Sequence, residues 1–343
     1  MTRWIICCLI TAGMALPALE AAAAPRTKAA KAKKIAAKAY VPARHLAAAT
    51  AGAGVHRVAA GDNGDLSLGS NVALVVDQST GQAVISKNID ELHPIASITK
   101  LMTAQVILDA QLPMAERIMI TEEDKDTERN SRSRLRVGAE LSRAELLQLA
   151  LMASENRAAH ALGRSFPGGM AAFVTAMNHK ALLLGMHSSR FVEPTGLSAN
   201  NVSTATDLVK LVRSGEQYPL IREYSTSSSQ DVSVLGRNTR FANTNRLVGS
   251  EAWDISVSKT GFINEAGRCL VMQAKIAGRP LTIVLLDSWG KLTRVGDANR
   301  IRKWLATAVV RPQSPILPAA PASPPATIQL QSSPELTKTS FTR

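Results

Sequence analysis

The chain has 343 residues, a length that allows one large domain or two small ones, each with a well-buried core. Hydrophobic residues make up 45% of it and charged residues 20%, a composition typical of globular proteins, while an aromatic content of 4% disfavours a nucleic-acid surface built on stacked rings. The formal net charge is +13, but much of the excess lies in one Ala-rich segment near the N-terminus, where it says little about the fold.

Residues 1–24 have the pattern of a secretory signal peptide. Arg3 precedes an apolar run over residues 4–16, which is short for a membrane span, and small residues at 21–24 offer a cleavage site. An uncleaved anchor is the alternative. After cleavage we expect no membrane anchor, and Cys269 would be the only cysteine left, which excludes an internal disulfide.

Two segments of biased composition flank the predicted folded domain. Residues 25–65 are rich in Ala, Lys and Gly without a sustained apolar period, which predicts a basic flexible linker. Its charge could attract nucleic acid, anionic lipid or a cell-wall polymer, or could simply be solvated. Residues 311–343 are rich in Pro, Ser and Thr, which predicts a disordered tail. The folded domain is therefore predicted to occupy residues 66–310.

The predicted domain begins with strands and continues with helices. Apolar stretches at 72–76 and 83–86 flank a turn signal at 78–81, as in a β-hairpin. The predicted helices are one starting near Ser97, one capped by Ser142 with Glu145, one from 169 to 184 that ends at Gly185, and one from 204 to 214 that ends at Gly215.

The last part of the domain returns to strands. Strands are predicted at 255–262, 268–276 and 281–286, with a turn at 277–280, before a final helix over 293–309. Strands at both ends with helices between them predict an α/β fold. In that fold an antiparallel sheet is formed from the two ends of the domain, and an all-helical half is inserted between them.

Most short catalytic and ligand-binding motifs are missing from the chain. It has no G-x-S-x-G, no phosphate loop, no H-E-x-x-H and no paired cysteines, so we expect no metal and no cofactor. His160 has no partner at ligand spacing and is interpreted as structural. Cys269 is interpreted as a small strand hydrophobe.

One ordered set of motifs does stand out, namely S-x-x-K, then S-x-N, then K-T-G. The first two are common by chance and occur three times each, whereas K-T-G occurs once, at residues 259–261. The candidates are Ser97 with Lys100, Ser256 with Lys259 and Ser288 with Lys291 for the first motif, and Ser86 with Asn88, Ser154 with Asn156 and Ser198 with Asn200 for the second.

The predicted secondary structure selects among these candidates. A serine and a lysine three residues apart share a face on a helix but not on a strand, which favours Ser97 with Lys100 over Ser256 with Lys259. At a helix start, free backbone N–H groups also favour a developing oxyanion near Ser97. Ser154 follows an apolar helix and is placed to be held rigidly.

The order and spacing of these motifs resemble those of the penicillin-binding serine peptidases and the class A β-lactamases, over about residues 66–310. Longer stretches at 131–138, 151–164, 191–208 and 258–274 are similar to the D-alanyl-D-alanine endopeptidase branch. The resemblance implies a β-lactamase/transpeptidase-like fold and a periplasmic serine DD-peptidase that acts on peptidoglycan peptides. β-Lactam antibiotics would be its covalent inhibitors.

The resemblance also implies a role for each motif residue. Ser97 would be the nucleophile, Lys100 its base, Ser154 a proton relay and Asn156 a holder of the substrate amide; Lys259 and Thr260 would bind a carboxylate, Gly261 would allow close approach, and the backbone N–H groups of Ser97 and Phe262 would form the oxyanion hole. Because an ordinary lysine has a pKa of about 10.4, burial and a second nearby cation, for which Lys259 is the natural candidate, would have to lower the pKa of Lys100.

Three other functions remain open from the sequence. A D-Ala-D-Ala carboxypeptidase would use the same motifs, although the chain ends in a Pro-rich tail rather than a second domain and an anchoring helix. A β-lactamase would need a base for deacylation, and no E-x-x-N motif lies between S-x-N and K-T-G. A non-catalytic cell-wall or nucleic-acid binder would rely on the basic linker, and the intact catalytic set disfavours it.

Overall fold

A computed structural model describes residues 66–310, including the side chains up to residue 307. The predicted signal peptide, linker and tail lie outside these residues. Within them, no helix is long and apolar enough to cross a membrane.

The order of secondary structure follows the predicted alternation of strands, helices and strands. The strands are β1 (Ser70–Asp77), β2 (Ala83–Lys87), β3 (His93–Pro94), β4 (Arg117–Met119), β5 (Glu140–Ser142), β6 (Val202–Ser203), β7 (Ser229–Val234), β8 (Arg237–Ala242), β9 (Asp254–Ile263), β10 (Gly267–Ile276) and β11 (Arg279–Ser288). The helices are α1 (Thr99–Asp109), α2 (Arg143–Met152), α3 (Asn156–Arg164), α4 (Gly169–Leu183), α5 (Ala205–Glu216), α6 (Pro219–Thr226) and α7 (Thr293–Val310). Short 3₁₀ helices lie at Ala96–Ile98 and Glu122–Asp124.

The main sheet has five antiparallel strands in the order β2-β1-β11-β10-β9. It joins the first and last strands of the domain, since Ser70 on β1 pairs with Ser288 on β11. This confirms the predicted sheet built from both ends of the domain. Strand β9, which carries the K-T-G motif, forms one edge and is free to border a cleft.

Helix α1 is the centre of the helical half. Every residue from Thr99 to Ile107 is buried, and the helix packs against α2, α3, α4 and α5. A helix that is buried on all sides belongs to the core rather than the surface, so its position is tightly fixed. The elements next to it therefore have a rigid support.

Helix α7 covers the opposite face of the sheet. Its buried residues Ala298, Ile301 and Leu305 join a second apolar cluster with sheet residues such as Val75 and Leu285. The domain therefore has three layers, with the helical half on one face of the sheet and α7 on the other.

Some elements differ from the sequence-based expectations. Helix α5 continues past Gly215 to Glu216, because Gly215 keeps a helical backbone and its lack of a side chain accommodates Gln105 and Ile221. Helix α6 and the β7–β8 hairpin were not predicted. The hairpin turns at Leu235 and Gly236, which both have positive φ, and a leucine in this conformation gives no usual turn signal.

The buried carboxylate of Asp297 fastens α7 to the start of β1. Its Oδ1 accepts a hydrogen bond from the Gly69 amide at 3.0 Å, and its Oδ2 accepts from the Ser70 amide at 2.8 Å and the Ser70 hydroxyl at 2.6 Å. Arg300 supplies an ion pair from the next turn of the helix. One side chain therefore satisfies several otherwise unpaired groups.

We predict that Asp297→Ala destabilises the domain by about 3 kcal/mol, because it leaves buried donors without an acceptor. A loss of that size should lower the Tm by roughly 6–12 °C for a domain of this length. Thermal unfolding followed by circular dichroism measures it, and Asp231→Ala at an exposed carboxylate of β7 is the control. A Tm within about 2 °C of the wild type for Asp297→Ala would contradict the prediction.

Candidate active site

Ser97 lies at the junction between the sheet and the buried helix α1. It belongs to the 3₁₀ helix Ala96–Ile98 that leads into α1. Ser97 therefore lies just before the α-helix, which begins at Thr99, and does not start it. The residue before it, Ala96, has φ +46, a left-handed conformation that costs a non-glycine residue about 1–2 kcal/mol. Thr99 stabilises this turn by donating a hydrogen bond to the Ala96 carbonyl at 2.8 Å.

The Lys100 amine is in contact with the Ser97 hydroxyl. Its Nζ lies 2.8 Å from Ser97 Oγ, 2.8 Å from Asn156 Oδ1 and 2.5 Å from the Thr195 carbonyl oxygen. Lys100 is fully buried, and all three partners are neutral. The structure thus brings together Ser97, Lys100 and Asn156, which the sequence motifs singled out.

A second serine–lysine pair stands across the site. Ser154 connects α2 to α3 with φ +58, and Lys259 Nζ on β9 lies 2.8 Å from its Oγ and 2.9 Å from the Thr260 carbonyl oxygen. Since Asn156 begins α3 and contacts Lys100, the two pairs lie close to each other. The S-x-x-K, S-x-N and K-T-G motifs therefore meet in one place.

Burial and mutual repulsion disfavour the state in which both lysine amines are protonated. Burial lowers the pKa of Lys100 to about 8, although the carboxylates of Glu193 and Glu155 oppose the change. Burial, together with the charges of Lys100 and Arg294, holds the pKa of Lys259 well below its usual range. The sequence predicted that both burial and Lys259 would lower the pKa of Lys100; burial is the main cause of the low pKa of each amine, and the two amines also repel each other when charged.

Gly261 lets strand β9 pass directly beside Ser97. A Cβ at this position would lie 2.9 Å from the Ile95 carbonyl oxygen and 3.2 Å from the Ser97 amide nitrogen. The next residue, Phe262, presents a half-exposed ring. The backbone N–H of Phe262 therefore comes one residue after Gly261, where β9 lies closest to Ser97. The oxyanion hole formed by this N–H and that of Ser97 stays a prediction. Thr260 Oγ1 is hydrogen bonded to Thr244 Oγ1 at 2.6 Å.

The carboxylate of Glu193 shapes the loop that faces Lys100, a role the sequence analysis missed. It accepts hydrogen bonds from the amides of Thr195 and Gly196, each at 2.6 Å, and from Asn201 Nδ2 at 2.8 Å. These bonds present the Thr195 carbonyl oxygen to Lys100. The loop lies in the 191–208 stretch that carried the family resemblance, but nothing in its local pattern predicted that the Glu193 carboxylate would order the loop.

Glu155 lies between Ser154 and Asn156 in the sequence and is a supporting group of the site. Its carboxylate accepts a hydrogen bond from Ser133, and burial raises its pKa. Nearby, Asn156 Nδ2 donates to Ser131 Oγ at 3.0 Å. Only 9% of Glu155 is exposed, so it is a buried supporting group and not a solvated carboxylate.

Arg294, at the start of α7, also belongs to this site and was missed. Its charge acts on Lys259, and its Nη1 atom is buried without a hydrogen-bond partner among the described residues. It lines a cavity next to Thr244. A guanidinium group in this state is suited to bind a carboxylate. Arg294 lies 35 positions after Lys259 in the sequence, so no local pattern indicated that the two side chains are close.

His160 and Cys269 lie outside the site. His160 Nδ1 is 2.8 Å from the buried Asp124, which Arg164 also contacts. Burial raises the pKa of the Cys269 thiol to about 12, so it is not a nucleophile. Among residues 66–310, no group of three or more His, Cys, Asp or Glu side chains is placed to hold a metal ion.

Comparison with known proteins gives a consistent result. Residues 59–289 match the D-alanyl-D-alanine carboxypeptidase family. The D-alanyl-D-alanine endopeptidase of Pseudomonas aeruginosa is 50% identical over 71% of this chain and 79% of its own, and that of Escherichia coli is 46% identical over 75% and 82%. A penicillin-binding protein of Listeria monocytogenes, solved with cefotaxime bound, matches with a TM-score of 0.62 and 28% identity over 70% of this chain and 98% of its own.

We predict that Gly196→Ala destabilises the domain by about 3 kcal/mol or more, because the new Cβ would lie 1.9 Å from the Ala96 carbonyl oxygen beside Ser97. Gly81→Ala is a matched control, since Gly81 has a similar positive φ but open space around it and should lose only about 1 kcal/mol. Urea unfolding compares the two variants. Equal losses would show that backbone strain alone, and not the contact with Ala96, explains the glycine.

Proposed function

We infer that this chain, which belongs to the D-alanyl-D-alanine carboxypeptidase family of serine peptidases, cleaves D-alanyl peptide cross-links in peptidoglycan. The observation that carries this proposal is the contact of 2.8 Å between Nζ of the buried Lys100 and Ser97 Oγ. The names of the two relatives at 50% and 46% identity favour the endopeptidase reaction.

In the proposed acylation step, Ser97 Oγ attacks the carbonyl carbon of the D-alanyl bond. Neutral Lys100 accepts the hydroxyl proton as the C–O bond forms. The N–H groups of Ser97 and Phe262 stabilise the oxyanion, each by about 3 kcal/mol. The C–N bond then breaks, and the leaving amine receives the proton held by Lys100, relayed through Ser154, so that Lys100 is neutral again. Ser154 Oγ accepts a hydrogen bond from Lys259 at 2.8 Å.

In the proposed deacylation step, water replaces the amine. Lys100 again accepts a proton, now from the water that attacks the acyl-enzyme carbonyl, and Ser97 leaves with that proton. The acyl peptide is released with a new carboxyl group, and the enzyme returns to its initial state. The same base serves both steps because it contacts Ser97 directly.

Substrate binding would use the edge of the sheet. A carboxylate on the leaving side can be bound by Thr260, by the Arg294 guanidinium and by the Lys259 amine, whose protonated form the carboxylate would stabilise. Asn156 would hold the substrate amide, and Gly261 leaves room for the peptide to lie along β9. β-Lactams, whose carboxylate and reactive carbonyl resemble those of the substrate, would acylate Ser97 and remain bound.

A D-Ala-D-Ala carboxypeptidase is the second candidate. It would use the same nucleophile and base, and the family that matches residues 59–289 carries that description. The two reactions differ only in the leaving group, which is a whole peptide in one case and a single D-Ala in the other. Export to the periplasm by the N-terminal signal is part of the proposal, because the substrate lies outside the cytoplasm.

Digestion of purified peptidoglycan fragments tests the proposed reaction. We expect the wild-type enzyme to convert cross-linked dimers into monomers, and Ser97→Ala to lose this activity together with covalent labelling by fluorescent penicillin, because the nucleophile is missing. Loss of terminal D-Ala with intact dimers would establish the carboxypeptidase instead. Wild-type enzyme that is not labelled at saturating penicillin would overturn the acyl-enzyme mechanism altogether.

We predict that penicillin acylation accelerates as the pH rises from 6 to 8 and levels off above pH 8. The neutral amine of Lys100 is the base, and the pKa of Lys100 is about 8. Well below that value, each pH unit should change the second-order rate constant about tenfold. Stopped-flow labelling across this range measures it.

Lys100→Arg is the matched control for the pH profile, because a guanidinium group stays protonated at every pH tested. Its labelling should be slow and should not recover at high pH. A wild-type rate constant that stays level between pH 6 and pH 8 would contradict the assignment of Lys100 as the base.

A further inference from the structure

A cavity of about 360 Å³ lies next to the K-T-G strand and is lined mainly by cations. Its lining residues are Thr244, Arg246, Arg268, Lys291, Leu292, Arg294 and Val295. The volume is in the range of small-ligand sites. Its position and charge indicate a binding site for an anionic group.

The four cations of this cavity have no ion pair among the described residues. Other arginines nearby do, since Arg129 pairs with Glu265 and Arg300 with Asp297. Burial lowers the pKa of Arg294, and the charge of Arg268 lowers it further, because the two guanidinium groups repel each other. Such a concentration of unpaired like charge is unfavourable until an anion enters.

The cavity borders the catalytic site. Thr244 on its wall is hydrogen bonded to Thr260 at 2.6 Å. Arg268 pairs in register with Phe262 across β9 and β10, and its guanidinium group stacks on the Phe262 ring at 4.4 Å. A ligand whose carboxylate is bound at Thr260 could therefore extend into the cavity.

The number of cations exceeds what one carboxylate requires. Arg294 with Thr260 and Lys259 is sufficient for the carboxylate next to the scissile amine. Arg246 and Lys291 are exposed residues on the same cavity and remain unpaired. Their charge therefore indicates a ligand with a further carboxylate.

We propose that Arg246 and Lys291 bind a second, distal carboxylate of the leaving peptide and thereby favour cross-links over terminal D-Ala. This inference rests on the proposed endopeptidase function. A terminal D-Ala leaving group has one carboxylate, whereas a leaving peptide built on a diamino diacid has at least two. The cavity would recognise the additional charge and improve binding of the cross-linked substrate.

The experiment compares two synthetic cross-linked peptides, one with the distal carboxylate of the leaving diamino diacid free and one with it amidated. With wild-type enzyme, we expect amidation to lower kcat/KM about tenfold, mainly through KM. The double variant Arg246→Gln/Lys291→Gln should show a similar loss on the free diacid. It should show little further loss on the amide, because the two changes remove the same interaction.

Two controls separate the cavity from the catalytic machinery. Lys303→Gln removes one exposed charge from α7 outside the cavity lining and should cleave both peptides like the wild type. The penicillin acylation rate of the double variant should stay within about twofold of the wild type, because penicillin carries one carboxylate.

Each remaining outcome has a distinct meaning. If wild-type enzyme cleaves both peptides equally well, or the double variant loses the same factor on both peptides and on penicillin, the distal carboxylate subsite is wrong and the proposed endopeptidase function stands. If wild-type enzyme is acylated by penicillin but cleaves neither peptide, the endopeptidase proposal fails and the subsite proposal fails with it.

Discussion

The site depends on the burial of two lysine amines that each contact a serine and no carboxylate. An ammonium group removed from water is strongly destabilised, and a direct ion pair would restore its charged form. Here the partners are hydroxyl, amide and carbonyl oxygens, so the neutral amine is within reach near neutral pH. The carboxylates of Glu193 and Glu155 act on Lys100 only from a distance. Their bonds are made to other groups.

The rest of the scaffold keeps this arrangement in place. The buried helix α1 fixes Ser97 and Lys100 from one side, and strand β9 brings Lys259 from the other. Strand β9 approaches the Ser97 turn closely because Gly261 has no side chain, and the loop that contains Gly196 approaches the same turn for the same reason. The left-handed backbone at Ala96 and Ser154 is a cost that the surrounding hydrogen bonds and packing offset.

The sequence predicted the features that depend on local spacing. The helix that carries Lys100, the capping box at Ser142 and the five strands of the main sheet all follow from short-range patterns, and the structure confirms them, with Ser97 in the 3₁₀ turn that leads into the helix. The roles of Glu193 and Arg294 could not be found this way, because each depends on contacts across long stretches of chain. The β7–β8 hairpin was missed since Leu235 occupies a turn position where glycine or asparagine is usual.

The strand order has a consequence for how the polypeptide reaches its native state. The first strand, β1, is an inner strand that pairs with the last, β11, through a register that links positions 218 residues apart, Ser70 and Ser288. Closing so long a loop carries a high entropic cost, and a sheet of this topology has a high contact order. A growing chain therefore lacks the partner of β1 until synthesis of the domain is almost complete. The complete sheet can therefore form only after the C-terminal strands have been made.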